Sequence, residues 1–382
     1  MSFLDTSELS GTFLGRVWRP EVSGPAVVTL RDGQVIDITS KSAPTVRDIC
    51  EMNDPATYVS AAAGTSLGTL EDIASATPGD LEAIHFLAPC DLQSVKACGV
   101  TFASSMVERV IEEQAAGDPQ KAEEIRNRVG SAIGESLRNI KAGSEEAARV
   151  KQALIAEGLW SQYLEVGIGP DAEVFSKAQV LSSMGPGADV GLHPISKWNN
   201  PEPEVVLAVS SNGRIVGGAL GNDVNLRDVE GRSALLLSKA KDNNASCSIG
   251  PMFRLFDATF SLDDVRKAEL DMKVEGPDGF VLNGHSSMRE ISRDPEDLVR
   301  QTVGRHHQYP DGIVLFLGTL FAPTKDRDVP GEGFTHKLGD VVTISAPGFG
   351  KLTNTVRLST ECPEWTFGIS NLMRNLAQRE LI

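Results

Sequence analysis

Two apolar segments on either side of Asn212-Gly213 constrain most strongly how this chain folds. They are Val205–Val209 and Ile215–Leu220. An Asn-Gly pair between two apolar runs is the strongest short-range signal for a β-hairpin. We therefore predict an antiparallel pair of strands with Asn212 and Gly213 as the central residues of the turn.

The predicted register of this hairpin brings three acidic residues together. Ser211 pairs with Arg214, and the residue numbers of every opposed pair then add up to 425, which places Glu202 opposite Asp223. Glu204 lies two residues after Glu202 and shares its face of the strand, as do directly opposed residues on neighbouring strands. We therefore expect the three carboxylates to converge.

Three carboxylates at one point cannot all stay ionised without a cation. A set of oxygen ligands suits Mg²⁺, Mn²⁺ or Ca²⁺ better than zinc, and three protein ligands leave about three of the six positions around Mg²⁺ for water or substrate. The alternative is that Glu202, Glu204 and Asp223 line a solvated strand end.

Composition excludes several classes of protein. The chain has 382 residues, 52 acidic and 36 basic side chains and a net charge of −16, without a basic stripe, which argues against nucleic-acid binding. No segment is long and apolar enough for a membrane span, and the N-terminus lacks a basic-then-apolar signal. The five cysteines are scattered and never spaced as CxxC, so we expect free thiols, no structural zinc and a cytoplasmic location.

The order of segments predicts an α+β protein. Residues 1–90 contain a strand–turn–strand unit around Asp32-Gly33 and are expected to form a smaller N-terminal α/β domain. Residues 91–382 are expected to form the catalytic domain, in which helical spacing covers 104–158 and strands dominate after Pro170.

The acidic residues belong to a longer series of motifs. In chain order these are Glu202-Pro203-Glu204, the segment 221–228 (GNDVNLRD), Lys241, Gly250-Pro251 and Gly318-Thr319. The series resembles the fumarylacetoacetate hydrolase superfamily, whose pattern is ExE, NDxSxRD, a lysine ahead of a Gly-Pro pair, and Gly-Thr-Pro. The resemblance extends over about residues 90–360.

The resemblance implies a mixed β-roll catalytic domain and a divalent metal, usually Mg²⁺, with Mn²⁺ possible. It also implies a homodimer or a homotetramer. The family's metal ligands correspond to Glu202, Glu204 and Asp223. The residues that it places near the substrate correspond to Lys241, Lys177, Gly318 and Thr319.

The departures from the family pattern indicate the reaction. Hydrolytic members carry a GxNYxxHxxE-like stretch whose His–Glu pair activates water. Here Glu108 is retained, but Ser105 replaces the histidine, and serine cannot act as a base near pH 7. Phe102 and Ser105 become candidate substrate contacts. Gly-Thr-Pro has become Gly318-Thr319-Leu320.

These changes, with the helical segment after Glu108, resemble the branch of the superfamily that dehydrates 2-keto-3-deoxy sugar acids. The implied reaction converts 2-keto-3-deoxy-D-xylonate or D-arabinonate to 2,5-dioxopentanoate and water. Lys241 is then the candidate for C3 proton transfer, and Glu108 is the candidate acid for the departing hydroxyl. One alternative is C–C bond hydrolysis of an acylpyruvate or fumarylpyruvate. The other is a catalytically silent metal- or metabolite-binding protein.

Overall fold

The structure is a computed structural model, and it describes residues 3, 11–116, 118–125, 140–156, 158, 160–319, 321, 323, 325–329 and 333–382. The predicted helical segment 104–158 is described only in part, because residues 126–139 lie outside these ranges.

The strands are β1 (Phe13–Arg19), β2 (Gly24–Arg31), β3 (Gln34–Asp37), β4 (Thr65–Thr69), β5 (His85–Leu87), β6 (Ser94–Gly99), β7 (Glu173–Ala178), β8 (Asp189–Leu192), β9 (Pro203–Val209), β10 (Ile215–Asp223), β11 (Cys247–Leu255), β12 (Glu269–Glu275), β13 (Val281–Ser287), β14 (Ile313–Phe316), β15 (Val341–Ala346) and β16 (Gly350–Leu358).

Within the described residues these strands form two sheets. The larger sheet has eleven strands in the order β4-β3-β2-β1-β11-β10-β9-β14-β6-β7, with β5 paired to β1. The smaller sheet has five strands in the order β13-β12-β15-β16-β8. Each sheet contains antiparallel neighbours and one parallel pair, β14 with β6 in the larger and β16 with β8 in the smaller.

The helices are α1 (Val46–Glu51), α2 (Pro55–Ala61), α3 (Leu70–Ser75), α4 (Ala103–Ala115), α5 (119–125), α6 (Glu145–Ala156), α7 (Gln162–Ile168), α8 (Arg227–Glu230), α9 (Leu237–Lys241), α10 (Leu262–Val265), α11 (Pro295–Thr302) and α12 (Ile369–Gln378).

This arrangement confirms the predicted α+β class. It also confirms the hairpin around Asp32-Gly33, where β2 and β3 pair from Val28 with Asp37 to Arg31 with Gln34. The N-terminal strands continue the larger sheet through β1 and β11, where Phe13 pairs with Arg254. The domain boundary near residue 90 stays a prediction.

The main hydrophobic core lies between the two sheets. From β9, Val205 and Leu207 point into this core, where they join Ile344 of the smaller sheet. Val206 points to the opposite face, into a second cluster that includes Ile49 of α1. Each fully buried Val, Leu or Ile contributes about 1.5–3 kcal/mol to stability. Burial on both faces therefore makes β9 a firm support for the side chains at its end.

The hairpin of β9 and β10 has the predicted register but not the predicted turn. From Gly217 to Asn222 the opposed residue numbers add up to 425, as expected. At the turn Ser210, not Ser211, pairs with Arg214, because Gly213 adopts a φ of +82° and closes a three-residue loop. An irregularity between Ile215 and Gly217 restores the register.

The α4 helix packs against α7 on one side and faces the ends of the central strands on the other. Met106 and Val110 of α4 pack with Leu164 and Ile168 of α7 and with Trp198. The opposite face of α4 is polar and points to the start of β9. Among the described residues, no helix has the length and apolar character needed to span a membrane.

Candidate functional site

The predicted convergence of the three carboxylates is confirmed. Glu202 lies just before β9, Glu204 within it, and Asp223 at the end of β10. Gly221 pairs with Glu204, and the N–H of Asp223 donates to the carbonyl of Glu202 at 3.0 Å. One oxygen of each carboxylate lies within 4.8 Å of the others, and all three side chains are buried. We call these three residues the acidic triad.

Lys241, the last residue of α9, places its ammonium between two members of the triad. Its Nζ lies 2.6 Å from Oε2 of Glu202 and 3.0 Å from Oδ2 of Asp223. Burial alone would lower the pKa of Lys241, but the Asp223 and Glu202 carboxylates outweigh burial and raise that pKa. Lys241 therefore lies beside the acids, and its role in proton transfer stays a prediction.

Lys177 is fully buried in β7, beneath the triad. Its Nζ donates to the carbonyl of Lys241 and lies 3.0 Å from Oδ1 of Asp223. Burial would raise the pKa of Asp223, but Lys177 and Lys241 together hold it below its ordinary value. Lys177 therefore fixes Asp223 and the end of α9. Its contact with a substrate stays a prediction.

The backbone of Gly318 holds Glu204, the third acid of the triad. Its N–H donates to Oε2 of Glu204 at 2.7 Å. Gly318 has a φ of +92°, and a Cβ atom there would lie 2.0 Å from Oγ1 of Thr101, so only glycine fits. Burial, together with the neighbouring charges of Asp223 and Glu202, raises the pKa of Glu204 well above its ordinary value.

A small cavity of about 20 Å³ lies beside the triad. Glu202 lines it together with Ser105, Glu108, Thr319 and Phe321. This volume holds about one water molecule. The sequence predicted roles in acid catalysis or substrate binding for Ser105, Glu108 and Thr319. The structure brings all three to the cavity beside the triad.

Phe102 does not line the cavity. Its side chain is completely buried in the main core, and its carbonyl accepts a hydrogen bond from Oγ of Ser105 at 2.9 Å. Phe102 therefore fixes the Ser105 hydroxyl through its backbone. A direct contact between the Phe102 side chain and a substrate stays a prediction.

Arg109 is a functional candidate that the sequence reasoning missed. Its Nη2 donates to Oε1 of Glu202 at 2.6 Å. Its Nη1 donates to Glu112 at 2.7 Å and lies 2.8 Å from Oε2 of Glu230. Burial would lower the pKa of Arg109, but these three carboxylates raise it further above its ordinary value. Arg109 therefore links α4 to the acidic triad through a permanent charge.

Arg227, in the GNDVNLRD segment, extends this network. Its Nε and Nη2 both lie 2.6 Å from Oε1 of Glu112, and its Nη2 lies 3.4 Å from Glu108. Its guanidinium lies over the ring of Trp198, 4.3 Å from the ring centroid, and it donates to the carbonyl of Pro323 at 3.1 Å. Arg227 thus ties α4 to the segment that follows Thr319.

The carboxyl group of Glu173, at the start of β7, has an unusually high pKa. Burial and the charge of Glu230 raise the pKa of Glu173 to about 7, although Arg109 and Lys241 act in the opposite direction. A carboxyl group with such a pKa exchanges protons near neutral pH. The sequence gave no reason to select Glu173 over other glutamates.

One sequence signal could have identified the charged face of α4. Ser105, Glu108, Arg109 and Glu112 are spaced i, i+3, i+4 and i+7, which places them on one side of a helix. A charged stripe with this spacing is also typical of a helix surface that faces solvent. The structure instead turns this stripe toward the triad, because the apolar stripe of α4 packs on α7.

The donor set fits a hard divalent cation. The triad offers only carboxylate oxygens, and oxygen-only ligation suits Mg²⁺, Mn²⁺ or Ca²⁺. The side chains described above include more carboxyl groups than cations. The carboxyl groups are those of Glu108, Glu112, Glu173, Glu202, Glu204, Asp223 and Glu230, and the cations are Arg109, Lys177, Arg227 and Lys241. A divalent cation at the triad would offset this excess.

Comparison with known proteins identifies the segment that carries the triad. Residues 169–357 match the family described as fumarylacetoacetate (FAA) hydrolase C-terminal. This matched segment includes the triad, Lys177, Lys241 and Thr319, whereas Phe102, Ser105 and Glu108 precede it.

Two dehydratases are among the curated relatives of this chain. The chain is 32% identical over 194 residues to the "Probable 2-keto-3-deoxyxylonate dehydratase" of Haloferax volcanii, which covers 51% of this chain and 63% of that protein. It is 25% identical over 228 residues to the 2-dehydro-3-deoxy-D-arabinonate dehydratase of Saccharolobus solfataricus, which covers 60% of this chain and 70% of that protein. The chain thus matches less than two thirds of the Haloferax protein's length.

A solved structure shares the fold over most of the chain. It is described as 2-keto-3-deoxy-D-arabinonate dehydratase complexed with magnesium and 2,5-dioxopentanoate. The superposition has a TM-score of 0.63 at 19% identity and covers 91% of this chain and 99% of that one. At this identity the likeness establishes the fold alone.

Proposed function

We propose that this protein is a Mg²⁺-dependent hydro-lyase that dehydrates a 2-keto-3-deoxy sugar acid. The substrate is 2-keto-3-deoxy-D-xylonate or D-arabinonate, and the products are 2,5-dioxopentanoate and water. The observation that carries this proposal is the buried triad of Glu202, Glu204 and Asp223 with Lys241 at 2.6 Å from Glu202. The dehydratase names of the two relatives and the magnesium in the solved structure support it.

The proposed reaction removes a proton from C3 and the hydroxyl from C4. The double bond then migrates to give the C5 aldehyde. Mg²⁺ held by the triad would polarise the 2-keto group and so make the C3 proton more acidic. In this proposal Lys241 takes up the C3 proton as a neutral amine. A divalent cation at the triad would offset the Glu202 and Asp223 carboxylates that raise the pKa of Lys241, and so would favour the neutral amine. The N–H and hydroxyl of Thr319 hold the substrate carboxylate from the cavity wall.

Two carboxyl groups are suited to protonate the departing hydroxyl. Glu108 lines the cavity and pairs with Arg227 at 3.4 Å. Glu173, with its pKa of about 7, holds a proton in a large share of molecules at neutral pH. We keep Glu108 as the first candidate because of its place in the cavity wall, and we add Glu173 as the second.

The alternative reaction, C–C bond hydrolysis, lacks the histidine that would pair with Glu108 to activate water. Ser105 stands in its place, and Oγ of Ser105 donates to the carbonyl of Phe102. The chain has six histidines. All of them lie among the described residues, and none of them lines the cavity. We therefore propose dehydration and not hydrolysis.

The proposal includes a cytoplasmic location and a homodimeric or homotetrameric state. The five cysteines are free and buried, which agrees with a reducing compartment. A gel-filtration experiment with light scattering tests the oligomeric state.

The proposed reaction is tested by proton NMR of the products. The purified protein with Mg²⁺ is incubated with 2-keto-3-deoxy-D-xylonate in one tube and with acetylpyruvate in another. We expect a new aldehyde signal in the first tube, which EDTA prevents, and no change in the second. Release of acetate and pyruvate in the second tube would favour hydrolysis. No reaction in either tube would favour a silent binding protein.

A further inference from the structure

Each carboxylate of the triad has one oxygen engaged by a donor of the protein. Oε1 of Glu202 accepts from Arg109 at 2.6 Å, Oε2 of Glu204 accepts from the N–H of Gly318 at 2.7 Å, and Oδ1 of Asp223 lies 3.0 Å from Nζ of Lys177. The second oxygens of Glu202 and Asp223 both face the Nζ of Lys241. Each acid therefore has one oxygen held by a donor other than Lys241.

Arg109 is held in place by two further carboxylates. Its guanidinium is planar, and its contacts with Glu112 at 2.7 Å and Glu230 at 2.8 Å hold it on the side away from Glu202. Only 12% of its side chain is exposed. Lys241 differs in this respect, because its ammonium is a point charge on a flexible stem. The contact of Arg109 with Oε1 of Glu202 is therefore a fixed feature of the site.

A carboxylate with one oxygen held by a charged donor in this way is arranged to bind a metal through its other oxygen. Mg²⁺ requires six ligands in an octahedron and accepts single oxygens from carboxylates. Ca²⁺ takes six to eight oxygen ligands and often binds both oxygens of one carboxylate. One oxygen from each of Glu202, Glu204 and Asp223 thus favours the smaller ion.

We propose that Arg109 restricts Glu202 to ligation through one oxygen and thereby makes the site select Mg²⁺ over Ca²⁺. Arg109 is in this account a positioning residue, since it acts through Glu202. The inference rests on the metal site of the proposed function. It assigns a role to α4, whose Arg109 reaches the triad from outside the matched segment 169–357.

The test compares the wild type with Arg109→Met. Each protein is treated with a chelator, dialysed and titrated by calorimetry with MgCl₂ and with CaCl₂. The measured quantity is the Kd for Ca²⁺ divided by the Kd for Mg²⁺. Loss of the positive charge changes the affinity for both divalent ions alike, so this ratio isolates the change in ligation. We expect the ratio to fall by at least about tenfold in the variant, within the range known for partners of metal ligands.

A ratio within twofold of the wild-type value would overturn the proposal. A wild type that binds neither ion would instead overturn the metal site of the proposed function, so the two failures are distinguishable. Arg254→Met is the matched control, because Arg254 is also a buried arginine paired with a carboxylate, that of Asp257 at 3.0 Å. We expect Arg254→Met to leave the ratio unchanged.

Arg109→Met leaves Glu112 and Glu230 without this partner, and the single variant can lose its fold for that reason. Glu112 keeps its contact with Arg227 at 2.6 Å, so the double variant Arg109→Met/Glu230→Gln removes the charge whose pairing with Arg109 is lost. We expect the same fall in the ratio for the double variant. An unchanged ratio in this folded protein would equally overturn the proposal.

Discussion

The backbone N–H of Asp223 donates to the carbonyl of Glu202 at 3.0 Å, so two acids of the triad are direct neighbours across the hairpin of β9 and β10. The geometry of the site therefore depends on the register of this hairpin. A slip by one residue would turn one strand's side chains to the opposite face. Both strands are buried on both faces, which makes such a slip costly.

Gly221→Ala should destabilise the protein and disturb Glu204, with which Gly221 pairs. An added methyl group would lie 2.3 Å from the ring of Phe316 and 2.5 Å from Val206. Overpacking of this kind costs about 1–3 kcal/mol of unfolding free energy. Denaturation with urea measures this cost, and calorimetry with Mg²⁺ should show weaker binding.

The matched control for this prediction is Gly368→Ala. A methyl group at Gly368 meets no atom within 4 Å, and the residue lies before α12, outside the sheets. The control should change the unfolding free energy by less than about 1 kcal/mol. Equal stability of the Gly221→Ala variant and the wild type would contradict the close packing of the hairpin.

Lys241→Met should lower kcat by about 10²–10⁴-fold, which is the usual contribution of a residue that transfers protons. Binding of Mg²⁺ should be at least as tight as in the wild type, because the variant lacks a positive charge beside Glu202 and Asp223. Steady-state rates and calorimetry measure the two quantities. The exposed Lys239 lies two residues earlier on α9, and Lys239→Met should leave both unchanged. Turnover of Lys241→Met at the wild-type rate would exclude Lys241 from proton transfer.

Glu173 should make the metal-free protein less stable as the pH rises. Its pKa is about 7 in the folded protein, against an ordinary value of 4.5 in an unfolded chain. The folded state therefore binds the proton more tightly, and this stabilisation, complete below about pH 4.5, is lost as the pH rises through about 7. The loss should amount to about 1–3 kcal/mol.

Unfolding free energies in EDTA at pH 5 and pH 8 test this prediction with Glu173→Gln. The variant cannot titrate at this position, so its stability should fall less between the two pH values than that of the wild type. The exposed Glu361→Gln is the control and should behave as the wild type does. If Glu173→Gln and the wild type lose the same stability, the side chain of Glu173 does not titrate in this range.

The triad could be predicted because its signals are local. Asn212-Gly213 predicts a hairpin, and the register counted outward from this turn places Glu202 opposite Asp223. The predicted two-residue turn of Asn212 and Gly213 is wrong, since Ser210 pairs with Arg214 and the loop between them has three residues. The bulge at Val216 restored the register, so the error did not reach the acids.

The charged network around Arg109 could not be predicted in the same way. Arg109 and Glu202 are 93 residues apart in the chain, and Arg227 and Glu112 are 115 residues apart. No turn or strand register connects these pairs. Their contacts depend on how α4 packs on α7, and a charged helix face has the same spacing whether it meets solvent or a buried site.

The central claim is that one Mg²⁺ bound by the triad makes the chain a dehydratase. The most direct test titrates chelator-treated protein with Mg²⁺ and follows site occupancy by calorimetry and formation of 2,5-dioxopentanoate in the same samples. The account predicts one ion per chain, turnover proportional to occupancy, and neither signal in Asp223→Asn. Full turnover of the wild type without added Mg²⁺ after chelation would contradict the claim.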